Sequence, residues 1–492
     1  MNCKPQYKKC LIFQLLFLSL NCLATNFYDK NISVNFNLNT KNDTIKVQKY
    51  FIVNKIEIKG NKVTKEHIIY RELLFKENDT ISSKDFYKII KKSKENLLNT
   101  SLFNFVTIDT SITNSNLVNI KINLIERWYT WPTPLFEFSN RNFNSWWETK
   151  DFSKLDYGLY LVRYNFLGRK ENLKILFCLG YDERYGITYE IPYINKKRTI
   201  GLGFQTAYGR NHEVDYTSFE NKLKYFKDTK NYVQEKYSSS LKLIYRKHIH
   251  NTHILKLQYN NFKFADTLLT LNEDYSFNNK TKTEYLSLYY KYIKDYRDYH
   301  SYPLTGYYFD IELAKKGLGI FNKEKTNLFY IHSSIRKYCK INKKLYFASG
   351  INAKILGTDK NMLPYFMQRG LGYGGDIVRA YEYYVIDGQN FGLLKTNLKY
   401  ELLPTKVYEF NFIPSKKFNK IHYAIYLNLF ADAAYVDDKN YYQYNNNLAN
   451  QFIFGTGIGI DFVTYYDKIL RIEYSINKSK ESAVFIHFTS PI

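Results

Sequence analysis

The hydrophobic pattern along the chain changes its period once, near Trp131. Before that point, alternating runs are mixed with helical stripes. "IVNKIEIKGN" alternates with Ile52, Ile56 and Ile58 on one face and closes on a Gly-Asn turn, which predicts a strand. Thr64 is placed to cap a helix carrying Ile69 and Leu73 one turn apart. Ser82 and Asp85 form a capping-box pattern ahead of a second helix, whose stripe is Phe86, Ile89, Ile90 and Leu97. "FNFVTIDTSI" and "LVNIKINLIER" read as two further strands, the second burying Val118, Ile120, Ile122 and Leu124. The predicted order is strand, helix, helix, strand, strand, which makes a small α+β domain.

After Trp131 the period is two. "LLKTNLKYELL" sets Leu394, Thr396, Leu398, Tyr400 and Leu402 against Lys395, Asn397, Lys399 and Glu401. "KILRIEYSI" sets Leu470, Ile472, Tyr474 and Ile476 against Arg471, Glu473 and Ser475, and "YLSLYYKY" repeats the scheme from Tyr285. One face is apolar and the other charged, over strands of about 9 to 11 residues, the length that crosses a bilayer. A soluble sandwich also alternates. It would have to build residues 132–492 from strands with almost no helix, and it leaves the 49 Tyr and 36 Phe unexplained. A membrane barrel uses such residues as girdles at both interfaces. The fold class read from the pattern is therefore mainly β, a transmembrane antiparallel β-barrel preceded by one small α+β domain.

The N-terminus changes the picture of where this barrel resides. Lys4, Lys8 and Lys9 precede the apolar run Cys10 to Ala24, the form of a secretory signal peptide. Residues 1–24 are expected to be removed, residues 25–49 to form a flexible leader, residues 50–131 the α+β domain and residues 132–492 the barrel. No later run has the 18 or more apolar residues of a membrane helix, so an exported chain of this kind enters a membrane as a closed sheet. Cys178 and Cys339 are the cysteines left after cleavage; a single disulfide between them is compatible with an oxidising compartment, but their spacing makes no metal site.

The α+β segment resembles a POTRA domain as it occurs just before the barrel in the BamA/TamA family of outer-membrane assembly proteins. "IKGNKVT", "NLLNTSLFNFVTI" and "LIERWYTWP" carry that resemblance. In the barrel it is carried by "YPLTGYYFDIEL" from Tyr302, "FMQRGLGYGGDIVRAYEYYV" from Phe366, "LFADAAYV" from Leu429 and the C-terminal "GTGIGIDFVTYYDKILRIEYS". The resemblance implies sixteen strands and an outer-membrane location with the POTRA domain in the periplasm. It also implies a loop after the eleventh strand that folds into the lumen, with a Val-Arg-Gly-Tyr or Val-Arg-Gly-Phe tip. Here those positions read Val378, Arg379, Ala380 and Tyr381. Ala380 departs from the family's glycine and would be strained if the position needs positive φ.

A guanidinium taken out of water needs a paired carboxylate. Alternation in "HYAIYLNLFADAAYV" sends Tyr423, Ile425, Leu427 and Leu429 to lipid and Asn428, Phe430 and Asp432 to the lumen. Phe430 and Asp432 match the family's Phe-x-Asp motif on the thirteenth strand, the partner of the loop arginine, and Asp461 is the competing carboxylate. Arg379 to Asp432 is the expected pin.

Other chemistry is thin. His248, His250 and His253 have no carboxylate or cysteine at ligand spacing, and no nucleophile, zinc-protease or phosphate-loop motif occurs, so neither a metal, a cofactor nor an enzyme is expected. The charge of +25 falls only to +22 without Lys4, Lys8 and Lys9, yet the lysines are scattered, which suits a lumen and rims facing anionic lipid better than nucleic acid. The resemblance implies an insertase or translocase. Its partners would be unfolded outer-membrane or secreted client proteins and outer-membrane lipids, with periplasmic chaperones or accessory lipoproteins as further candidates. A dedicated translocator for one secreted partner shares every motif; a passive pore or a surface-binding barrel would not need the POTRA domain.

Overall fold

The computed structural model describes residues 49–113, 116–138, 155–321, 326–357, 363–439 and 445–488. The signal-peptide segment, nearly all of the leader and the last four residues lie outside them. The chain divides into two units, ending at Arg127 and beginning at Trp128.

The first unit runs β1 (Tyr50–Lys59), α1 (Glu66–Tyr70), β2 (Thr80–Ser82), α2 (Ser83–Asn99), β3 (Phe103–Ile112) and β4 (Leu117–Glu126). The sheet order is β2-β1-β4-β3, with β1 parallel to β4 and the other pairs antiparallel. The short β2 escapes the sequence pattern because three residues carry no period. In β1 a bulge between Val53 and Lys55 shifts the register, so that Val53 and Ile56 are the fully covered residues rather than Ile52, Ile56 and Ile58. The first helix is capped at Lys65, not Thr64, and ends before Leu73. Thr64 instead gives its backbone N–H to Glu126 at 2.7 Å, and Val63 bonds the same carboxylate at 3.1 Å. Ser82 caps α2 by accepting from the Lys84 N–H at 3.4 Å. Ile68, Ile69, Leu97, Val118, Ile120 and Ile122 close the core between helices and sheet.

The second unit is one antiparallel sheet of sixteen strands together with a separate two-stranded hairpin. Its strands are β5 (Thr130–Phe138), β6 (Leu155–Tyr164), β7 (Asn172–Gly180), β8 (Glu183–Ile191) and β9 (Ile200–Asn211), then the hairpin β10 (Glu213–Phe219) and β11 (Lys222–Lys227). The sheet continues with β12 (Gln234–Tyr245), β13 (Asn251–Phe264), β14 (Lys282–Asp295), β15 (Gly306–Lys316), β16 (Leu328–Lys340), β17 (Leu345–Leu356), β18 (Asn390–Glu409) and β19 (Lys420–Asp437). It ends with β20 (Ile453–Val463), β21 (Ile469–Asn477) and β22 (Ser482–Phe488). Among the described residues of this unit one short α-helix, α3 (Asp266–Leu271), follows β13.

Alternation sorts the faces. On β12 the exposed outer residues include Tyr237, Leu241, Leu243 and Tyr245, two apolar side chains between two tyrosines, which is the section of an apolar belt with an aromatic girdle at each edge. Inward-facing lysines lie over rings: Lys256 Nζ is 4.1 Å from the Tyr289 centroid and Lys316 Nζ is 5.4 Å from that of Tyr330. Among the described residues no helix is long and apolar enough to cross a membrane. The Cys178 thiol is buried and not disulfide-bonded, so no Cys178–Cys339 bridge forms, and its sulfur accepts from Arg184 at 3.4 Å.

Candidate functional site: the loop tip seated in the barrel

The segment between β17 and β18 folds back inside the barrel, and its tip is Val378, Arg379, Ala380 and Tyr381, all buried. β17 is the eleventh barrel strand and β19 the thirteenth. Arg379 is 5 % exposed and Asp432 2 % exposed. The guanidinium meets Asp432 with both faces of its fork, Nε to Oδ2 at 2.9 Å and Nη2 to Oδ1 at 2.5 Å. Nη1 bonds Asn397 Oδ1 at 2.5 Å and Glu473 Oε1 at 3.5 Å, and Nη2 also bonds the Thr396 carbonyl at 3.1 Å. Each of the guanidinium's N–H donors therefore has an acceptor, which is what its removal from water requires. The Arg379 backbone N–H adds a bond to Asp432 Oδ2 at 3.1 Å, so one carboxylate fixes both side chain and main chain. The Phe430 ring lies under the guanidinium at 4.0 Å.

The wall is shaped to receive this tip. A Cβ on Gly455 of β20 would lie 2.0 Å from the Arg379 carbonyl oxygen, and one on Gly457 would lie 2.6 Å from the Phe430 ring. These absences of side chain make the slot. Above it, Val378 and Tyr381 pack with Leu371, Ile386, Leu393 and Val436, and Tyr381 Oη accepts the Lys478 N–H at 3.2 Å.

Ala380 adopts φ 75°. That left-handed conformation costs a residue with a Cβ about 1–2 kcal/mol. Ala380→Gly is therefore expected to raise the unfolding midpoint by the equivalent of roughly 1 kcal/mol, measured as the temperature at which the barrel ceases to migrate as a folded species on gels.

A family model for the POTRA domain, described as "Surface antigen variable number repeat", matches residues 51–127. A second, the Omp85 superfamily domain, matches residues 165–481, well over half of the chain. The chain belongs to the Omp85 superfamily. As an Omp85 protein it is an outer-membrane barrel of the class that inserts or transports other proteins, with its POTRA domain in the periplasm. Among solved structures it is similar to BamA from Haemophilus ducreyi lacking POTRA domains 1–3, at 16% identity over 89% of this chain and 83% of that one, with a TM-score of 0.49. It is also similar to CdiB from Escherichia coli, at 10% identity over 89% and 75% of the two chains, with a TM-score of 0.52. CdiB from Acinetobacter baumannii gives 12% identity over 89% and 73%, with a TM-score of 0.46. No curated protein matches.

In this Omp85 barrel Asp461 is not a partner of Arg379. It is taken by Arg471, Nε to Oδ1 at 2.6 Å and Nη2 to Oδ2 at 2.8 Å, with Tyr302 Oη donating at 2.7 Å and Asn428 Nδ2 at 2.8 Å. Glu473, Asn397 and Arg471 are the site residues the sequence reading missed. Arg471 and Glu473 stand two apart on the polar face of β21, and that spacing was visible. Their partners depend on the cross-strand register Asp461↔Arg471, which was not.

At the extracellular rim the same loop is tied down again. Arg369 pairs with Asp215 on β10 at 2.7 Å. Asp387 accepts from Ser218 Oγ at 2.5 Å and from Tyr373 Oη, and burial pushes its carboxyl up to about 6. The histidine cluster contributes nothing here: His248 and His250 sit in the turn after β12, and His253 on β13 contacts Tyr290 Oη at 2.9 Å.

Proposed function

We propose that this chain is an outer-membrane insertase or translocase that handles client proteins without covalent chemistry. In this mechanism the POTRA domain receives extended client segments along a sheet edge and the barrel passes them into or across the membrane, with the lumen loop pinned by Arg379 keeping the barrel in its working shape.

One observation carries this reading. Fifteen strand pairs run without a break from β5 to β22, yet among the described residues no register joins β22 to β5. A barrel built only to conduct would close that seam, because an open edge leaves backbone groups unsatisfied in hydrocarbon. An edge left available is what a strand-handling protein needs. The interior, occupied by a loop anchored at both its tip and its rim, also fits a solute pore poorly.

In the POTRA unit β3 is an edge strand. The Thr113 N–H bonds the Leu117 carbonyl, so along the paired part of β3 the Thr110 N–H points away from β4. Thr110→Pro is expected to remove that edge donor while leaving the domain folded by circular dichroism. Cells carrying it in place of wild type should show reduced total outer-membrane barrel content. Unchanged content in such cells would contradict client reception at this edge. Loss of the whole protein without any change in other outer-membrane proteins would contradict the insertase reading itself.

A further inference from the structure

Between the inner wall of β12–β17 and the lumen loop lies a cavity of about 530 Å³, a size that suits a small ligand. The chain enters the barrel from the periplasmic side, and the sheet is antiparallel throughout. The start of β12 and the ends of β15 and β17 are therefore extracellular ends. Lys236, Lys316 and Lys354 stand at those three ends and line the cavity. On its other side are Asp215 of β10 and Arg369 and Tyr373 of the loop.

The charges on this wall are unevenly matched. The Lys316 and Lys354 ammoniums lie against one ring, 5.4 and 5.9 Å from the Tyr330 centroid, and Lys236 Nζ is 5.4 Å from that of Phe262. Lys354 Nζ also donates to the Arg369 carbonyl at 2.8 Å. None of the three lysines makes an ion pair among the described residues. The carboxylates of the wall are engaged elsewhere. Asp215 pairs with Arg369 at 2.7 Å, Glu312 accepts from Tyr330 Oη at 3.3 Å, and Asp376 accepts from Asn352 Nδ2 at 3.1 Å. Like charges held against one ring repel, and an anion between them relieves the repulsion.

A second observation points to a ligand. Tyr275, in the segment after α3, is 0 % exposed and lines the cavity, and its Oη has no hydrogen-bond partner among the described residues. A buried hydroxyl in that state calls for an acceptor, and a ligand oxygen would be one. Phe262, Tyr285, Tyr330 and Phe366 give the cavity broad aromatic faces, and Gln234 and Asn260 add amides. A bare phosphate has no use for the rings. A sugar does, because its C–H face lies on an aromatic ring while its hydroxyls take the amides.

We propose that this cavity binds a phosphorylated saccharide, with Lys236, Lys316 and Lys354 on the phosphate oxygens and the rings and amides on the sugar. The assignment goes beyond the insertase reading and does not rest on it. A soluble sugar phosphate and the phosphorylated sugar headgroup of a glycolipid offer the same chemistry. A ligand seated there touches both the barrel wall and the loop, and so joins them at the extracellular end as Arg379 and Asp432 join them at the loop tip.

The test titrates the full chain in dodecyl maltoside micelles with glucose 1,6-bisphosphate, inorganic phosphate and glucose, followed by calorimetry. The bisphosphate should bind about tenfold more tightly than inorganic phosphate, the factor to which one further charge-assisted contact converts. Lys316→Gln and Lys354→Gln should each weaken its binding by about tenfold, while Lys316→Arg should retain it. Lys256→Gln, inward on β13 but off the cavity wall, should leave it unchanged. Heat-modifiability of each variant shows that the barrel is folded, and Tyr275→Phe, which removes one hydroxyl and no charge, should weaken binding in a chain of wild-type stability. Diphosphoryl lipid A in phosphatidylethanolamine vesicles is the lipid-borne probe. Lysine-dependent binding of either probe supports the site, and the tighter of the two assigns the source. Equal affinity for inorganic phosphate and for the sugar bisphosphate would overturn the inference. So would binding indifferent to Lys316→Gln and Lys354→Gln, or no binding of either probe by the wild-type chain.

Discussion

Arg379→Ala is expected to lower barrel stability by roughly 3–5 kcal/mol, the cost of leaving a buried carboxylate without its partner. Asp432 would remain almost fully covered, with Glu473 close by and no guanidinium between them. Asp432→Ala should cost about as much, because it strands the arginine instead. The double variant should cost much less than the two added together, since the residues act as one unit. Arg379→Lys should rescue little: a single ammonium cannot span both Asp432 oxygens, Asn397 and the Thr396 carbonyl at once. The readout is heat-modifiability of outer-membrane fractions on unboiled gels. Wild-type migration of both single variants would mean that Arg379 is an ordinary loop residue.

Gly455→Val is expected to unseat the loop as severely, although it removes no charge. Its Cβ would fall 2.0 Å from the Arg379 carbonyl oxygen, and that atom is main chain and cannot swing aside. Either β20 moves away from the tip or the tip leaves its slot. Overpacking of this kind costs about 1–3 kcal/mol, occasionally more. Protease accessibility of the loop in intact cells distinguishes the two, since an expelled tip is cut and a shifted strand leaves it protected. Gly319, with no atom within 4 Å of where a Cβ would stand, is not hemmed in, but its φ of 70° strains any side chain; Gly392 has neither constraint, and Gly392→Ala is the matched control.

Much of the barrel was written in its alternation. Period two from Leu394 to Leu402 or from Leu470 to Ile476 assigns each residue a face without knowledge of its neighbours, and the faces of β18 and β21 follow it. Asn428, Phe430 and Asp432 share the inner face of β19 for the same reason. What alternation cannot supply is register. Asp461 and Asp432 both face inward, and only the offset between β19, β20 and β21 gives one to Arg471 and the other to Arg379. The bulge in β1 was hidden likewise, because one added residue exchanges Ile52 for Val53 without disturbing the composition. The role of Glu126, which grips Val63 and Thr64 across the POTRA unit, is a contact between residues 62 positions apart and leaves no local sign.

The central claim is that this barrel assists other proteins into or across the membrane and needs its seated loop to do so. Its most direct test is the folding rate of an unfolded eight-stranded barrel added to vesicles containing the wild-type chain, the Arg379→Ala chain or no protein. The account predicts faster folding with wild type, and with Arg379→Ala a rate close to that of empty vesicles. A wild-type rate no different from empty vesicles would contradict it.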